Sequence, residues 1–271
     1  MIADRVDVRR LMGEHGLHPS KALGQHFVAD ANTLRRIVRL AGVDASSHVV
    51  EIGAGLGSLT LELGRSGAEV VAVEVDRHLV PVLRSVLEGV PNVRVVEGDG
   101  LHLDWQRLLG SGGPWSLVAN LPYNVATPIV LSVLERAPEV SSMLVMVQRE
   151  VGERLAAAPA ERAYGAVSVK VRYWAHAAVV GAVPPTVFIP RPSVDSALVR
   201  IDRRDAPAVA PSLVTYERLR AVVNAGFAHR RKMLRHSLAG VVAPGRFAEA
   251  GVAPTARPGE LDVAQWGALA Q

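Results

Sequence analysis

The sequence predicts an α/β protein, with a mostly parallel seven-stranded sheet covered by helices on both faces and a small α-helical domain after it. Three observations carry this expectation. Between His48 and Gln148, short apolar runs alternate with segments of helical apolar spacing, and such alternation builds parallel sheets buried on both sides. The glycine-rich stretch Glu51–Gly57 lies between the first apolar run and the first following helix. A Pro- and Ala-rich stretch at 205–211 then precedes a last region of helical spacing, as expected at a domain boundary.

Taken in order, Asp30 is placed to cap a helix through Leu34, Ile37, Val38 and Leu40, which Gly42 closes. Strands are expected at His48–Ile52, Glu69–Val75, Val93–Glu97, Ser116–Ala119 and Met143–Gln148, because each is a short, β-branched-rich run. Helices are expected between them at Ser58–Gly64, His78–Leu87, Trp105–Leu109 and Pro128–Arg136. Two further strands, near Ala177–Val183 and Ser196–Ile201, are joined by the Pro-rich stretch 184–192. So short a connection favours an antiparallel pair at the sheet edge. Residues 213–238 and the tail read as helices. The expected division is therefore 1–204 and 205–271.

Composition narrows the chemistry. With 49% hydrophobic residues in 271, the chain can bury a large core. No apolar stretch approaches the roughly 20 residues of a membrane span, and the amino terminus lacks the apolar core of a signal peptide. A soluble, cytoplasmic protein is the expectation. There is no Cys, which removes disulfides, thiolate metal sites and Cys nucleophiles together. No metal-ligand cluster is evident, and isolated His residues such as His102 and His176 read as structural or exposed. The pI of about 9.8 rests mostly on Arg, which suits bidentate phosphate contact. A GC-rich genome would give the same bias.

The tetrapeptide Asn120–Tyr123 says most about function. It follows the apolar run 115–119, and Pro122 ends that strand. Open α/β sheets bind ligands at such strand ends. An amide oxygen, an outward carbonyl and an aromatic ring suit methylation of the exocyclic amine of a base. Two acceptors would favour the charge-bearing nitrogen of the transition state, and Tyr123 offers a stacking face to a flipped base. The same residues also make an ordinary strand-end turn. Glycines 53, 55 and 57 let a ligand approach the backbone, and Ser58 stands where a dinucleotide fingerprint wants its third Gly. A glycine loop behind Glu51 suits the cationic S-adenosylmethionine, though a generic nucleotide loop fits too. Glu74 could accept from ribose hydroxyls and Asp99 from an adenine amine. Their positions after successive strands, in register with the glycine loop, set them apart from solvated loop acids.

Several segments together resemble one family: Gly24–Phe27 after Lys21, the 51–57 loop, Glu74–Asp76, Asp99, Asn120–Asn124, Gln148–Val151, Tyr164-Gly165, Val183–Pro190, Val194–Ala197, and Phe227 with Arg230–Lys232. The chain is similar to the small-subunit ribosomal RNA adenine N6,N6-dimethyltransferases over most of its length. The resemblance implies a class I, Rossmann-like methyltransferase domain at 1–204, whose first thirty residues contact RNA and cofactor, and a helical RNA-binding domain at 205–271. It implies S-adenosylmethionine as donor and two adjacent adenosines of the 3′-terminal hairpin of 16S rRNA, within the pre-small subunit, as substrate. His26, Val28, Gly53, Gly55, Glu74, Asp99 and Asn120 are implied to touch the cofactor. Asn120, Leu121 and Tyr123 are implied to hold the base, with Phe188 closing over it. The family usually has Asn in place of His26 and Pro in place of Ala54.

RNA contact is expected from Arg230, Arg231, Lys232 and Arg235, read as a basic helix segment, and from Lys21 with Arg9 and Arg10. A charge run can equally be a solvated face. Related enzymes that methylate large-subunit rRNA, and a catalytically idle assembly factor, remain alternatives. A monomer is the default.

Overall fold

The computed structural model describes residues 7–20, 23–110 and 113–271. Its strands are β1 (Phe27–Val28), β2 (His48–Ile52), β3 (Glu69–Glu74), β4 (Val93–Glu97), β5 (Trp115–Asn120), β6 (Val140–Gln148), β7 (Ala175–Val183), β8 (Phe188–Ile189) and β9 (Ser196–Arg203). Seven of them form one sheet in the order β4-β3-β2-β5-β6-β9-β7. The pairs from β4 through β6 are parallel. The five strands expected between residues 48 and 148 are all present, with ends shifted by no more than three residues. β7 forms the expected edge with β9 beside it.

The chain divides into two compact units. The first takes residues up to Gly152 and Val179–Ile201; the second takes Glu153–Ala178 and Asp202–Gln271. The second boundary falls close to the expected 204/205. However, residues 153–178 go with the C-terminal helices, which the sequence reading did not foresee. Tyr164, Val169 and Tyr173 explain this, since they are buried in one cluster with Leu219, Val223 and Trp266. The Tyr164 hydroxyl also donates to the Leu261 carbonyl at 2.8 Å. The stretch 205–211 is no loose linker either, because Val209 packs against Gly267 in that cluster.

In the first unit, β2, β3, β5 and β6 are buried on both faces, which is why their sequences read as continuous apolar runs rather than alternating ones. The helix Ala31–Ala41 begins where expected: Asp30 accepts from the Thr33 amide at 2.7 Å, and Gly42 ends the helix in the left-handed region. A two-stranded antiparallel ribbon, β1 with β8, was not foreseen. Two-residue strands carry too little pattern to read.

Candidate active site

β2, β3 and β4 run outward on one side of the sheet, and β5 and β6 on the other. The order therefore reverses between β2 and β5. At such a switch point the loops leaving the two strands part and open a crevice beyond their carboxyl ends. A crevice lies there, lined by 23–28, the glycine loop, Glu74, Asp99, Asn120–Tyr123 and their neighbours. Residues distant in sequence meet because the parallel register puts the strand ends level.

Gly53 and Gly55 have φ of 76° and 59°, conformations that cost an L-residue about 1 kcal/mol or more. A Cβ at Gly55 would stand 3.0 Å from the Phe27 ring. The loop is thus held open as bare backbone. Glu74, 4% exposed, organises it: one carboxylate oxygen accepts from the Gly55 amide at 2.7 Å, the other from Val75 and Asp76 at 2.9 Å. Burial raises the Glu74 carboxyl above its ordinary range, against these three bonds. Three of its roughly four acceptor positions are thereby taken. Asp99 accepts from the Leu101 amide at 3.0 Å and pairs with His102 Nδ1 at 2.7 Å. The Leu101 bond leads in holding its carboxyl below the usual range.

Beneath the loop, Glu51 is 2% exposed and accepts from the Thr60 hydroxyl at 2.6 Å. Burial pushes its carboxyl up to about 8, partly offset by Thr60 and increased by Glu74. Between the ordinary value of 4.5 and about 8, the folded chain keeps a proton that the unfolded chain has released. Stability therefore falls as pH rises through that window. Glu51→Gln, which mimics the protonated acid, is expected to gain little at about pH 5 and on the order of 2 kcal/mol or more at about pH 8. Denaturant unfolding at several pH values checks this; a pH-independent difference would contradict it.

At the end of β5, Asn120 Nδ2 donates to the His26 carbonyl at 2.8 Å. This bond fixes which way the carboxamide faces. Asn120 Oδ1 is buried and has no partner among the described residues. Tyr123 is anchored at its hydroxyl by Ser196 Oγ at 2.6 Å, and burial raises its phenol, so it stays neutral.

Of the residues expected at the site, His26, Val28, Gly53, Gly55, Glu74, Asp99, Asn120, Leu121 and Tyr123 all line the crevice. Phe188 does not. It is 3% exposed, pairs with Val28 across the β1–β8 ribbon and packs in the core with Leu34 and Leu198. The structure thus places the Phe188 ring in the core and not among the crevice residues. Gln25, Ser58 and Ser196 were missed as site residues. Gln25 donates to Asp76 at 2.9 Å, and Ser58 Oγ is buried without a partner among the described residues while lining the crevice. Nothing in local spacing ties residue 25 to 76 or 123 to 196.

The basic run 229–232 is a turn between the helices Tyr216–Ala228 and Leu234–Ser237, not a helix segment. Arg230 donates to the Arg162 carbonyl at 2.7 Å, so part of its guanidinium braces the fold. Arg231 and Lys232 are exposed. Arg235 leans on His236 at 3.2 Å. Arg10 pairs with Glu14, and Lys21 lies outside the described residues.

The open glycine cradle, the carboxylates of Glu74 and Asp99 and two buried unpartnered polar atoms fit S-adenosylmethionine, whose sulfonium and ammonium are cationic. Sheet order, loop and acidic residues together define a Rossmann-like, S-adenosylmethionine-dependent methyltransferase. The family model for ribosomal RNA adenine dimethylase matches residues 17–271, and the chain belongs to that family. It is 48% identical to the ribosomal RNA small subunit methyltransferase A of Cutibacterium acnes, over 94% of this chain and 89% of that one. Its identity to the Thermobifida fusca protein of the same name is 46%, over 98% and 94%. Among solved structures, 23S rRNA methyltransferase ErmE matches with a TM-score of 0.69 at 27% identity, covering 90% of this chain and 98% of that chain. A dimethyladenosine transferase from Plasmodium falciparum reaches 0.73 at 21% identity, over 90% and 95%, a likeness of fold alone. Among the described residues, no cluster could hold a metal ion and no helix is long and apolar enough to cross a membrane.

Proposed function

We propose that the protein dimethylates the N6 amines of two adjacent adenosines in the 3′-terminal hairpin loop of 16S rRNA, on the assembling small subunit, as a cytoplasmic monomer. The observation that carries the chemistry is the buried, unpartnered Asn120 Oδ1 at the end of β5. The small-subunit choice is supported by the 48% and 46% identical relatives, against 27% for the 23S enzyme.

Bound S-adenosylmethionine supplies an electrophilic methyl group. Tyr123 presents its ring to the flipped base. Asn120 Oδ1 and the Leu121 carbonyl accept the amine N–H bonds, and each acceptor gains strength as positive charge grows on the nitrogen. Being fixed beforehand, they cost no reorganisation at the moment of transfer. No side chain need act as a base, since the proton of the methylated ammonium passes to water afterwards. Glu74 and Asp99 hold the glycine loop and the β4 end in the shape the cofactor requires.

RNA contact falls to Arg231, Lys232 and Arg235, while Arg230 has the structural duty described above. Replacing Arg231 and Lys232 by Ala is expected to weaken RNA binding about 10-fold and to lower the salt dependence by about two counterions. Binding titrations over a salt series measure both. An unchanged slope would return these residues to solvated surface charge.

The function is tested by methyl transfer from labelled S-adenosylmethionine to small subunits lacking the hairpin methylation, with product nucleosides identified by mass. Dimethyladenosine in small-subunit RNA is the expected product. Label only in large-subunit RNA would assign the other substrate, and no label despite cofactor binding would indicate an assembly factor.

A further inference from the structure

His26 reaches three separate parts of the site. Its ring stacks on Tyr123, with centroids 5.1 Å apart and planes inclined by 30°. Its Nδ1 lies 2.7 Å from the Pro190 carbonyl. A carbonyl only accepts, so Nδ1 carries the hydrogen and the ring orientation is fixed. Its own carbonyl takes the Asn120 amide.

We infer that His26 is a positioning residue for Tyr123, its ring covering one face of the tyrosine and leaving the other to the incoming adenine. This deepens the proposed function and rests on it. Tyr123 is then held at two points, by the ring of His26 on its face and by Ser196 at its hydroxyl; Ser196 is fully buried and therefore a firm anchor. A stacked base needs a flat, stationary partner, and small displacements of a reacting group are costly in rate. The ring of His26 spends its contacts on Tyr123 and Pro190, which sets it on the base side of the crevice rather than among the cofactor's ligands. The link to Asn120 runs through the main chain and survives any substitution at position 26. Side-chain variants therefore report on the stack without releasing Asn120.

The experiment compares the full-length protein with His26→Phe, which keeps a ring but loses the Nδ1 donor, and His26→Leu, which loses the ring and brings no polar group of its own. Cofactor affinity is measured by calorimetry, and kcat and KM by methyl transfer to unmethylated small subunits. All three proteins should bind S-adenosylmethionine within about 2-fold of one another. The kcat of His26→Leu should fall about 10-fold while that of His26→Phe stays within about 3-fold. Equal loss in both variants, parental kcat in His26→Leu, or weakened cofactor binding with kcat retained would each overturn the inference.

A second reading is independent of substrate. With only four Tyr in the chain, the ring resonances of labelled Tyr123 are assignable. They should move in His26→Leu, where the neighbouring ring is lost, far more than in His26→Phe. Unmoved resonances in His26→Leu would also overturn the stack. If the parental protein methylates no small subunits yet these resonances move, the substrate assignment fails and the positioning role stands.

Discussion

Asn120→Ala is expected to lower turnover by at least about 100-fold with cofactor binding reduced far less and the fold retained. Asn120 Oδ1 is buried and unpartnered among the described residues, an arrangement that costs about 1–3 kcal/mol without an acceptor's partner. The cost is recovered when an N–H donor arrives, and the gain increases as that donor becomes cationic. Loss of the oxygen therefore acts on the transition state more than on the ground state, which lowers kcat rather than raising KM. The stability cost should be small, about 1 kcal/mol, because only the bond from Nδ2 to the His26 carbonyl is lost. Single-turnover methyl transfer and thermal unfolding on the same preparation separate the two effects. Turnover within a few-fold of the parent would remove Asn120 from the chemistry.

Glu74→Ala is expected to destabilise the first unit by roughly 2–4 kcal/mol and to weaken cofactor binding by at least about 10-fold. The carboxylate accepts from the amides of Gly55, Val75 and Asp76, so its removal leaves three donors unanswered at the end of β3. Glu74→Gln is expected to fare little better. Its amide nitrogen would face an N–H on whichever side it turned, since both carboxylate oxygens now accept. Denaturant unfolding and calorimetry measure the two losses. A glycine loop that keeps its amide-exchange protection, with affinity unchanged, would show that Glu74 does not organise the site.

Much of the fold was legible because buried parallel strands are short, uninterrupted apolar runs. β2 and β4 were placed residue for residue, as was the helix Ala31–Ala41 between its Asp30 and Gly42 signals. Residues 153–178 group with the C-terminal helices because Tyr164 and Tyr173 find their partners, Leu219 and Trp266, some fifty to a hundred positions onward. Phe188 is a related case. Its motif marks it as important, but only the β1–β8 pairing turns its ring into the core.

The sequence by itself determined the alternation of strands and helices, the glycine loop, and the presence of Glu74, Asp99, Asn120 and Tyr123 at successive strand ends. These depend on local periodicity and backbone preference, which act over a few residues. The tertiary structure alone decided which side-chain atoms remain free for a ligand. Asn120 Oδ1 is free because its Nδ2 is taken by His26, Glu74 is largely occupied by its own loop, and Arg230 is partly committed to Arg162. A hydrogen-bonding atom serves function only once its other obligations are met, and those obligations are set by groups that chain folding brings together from far apart.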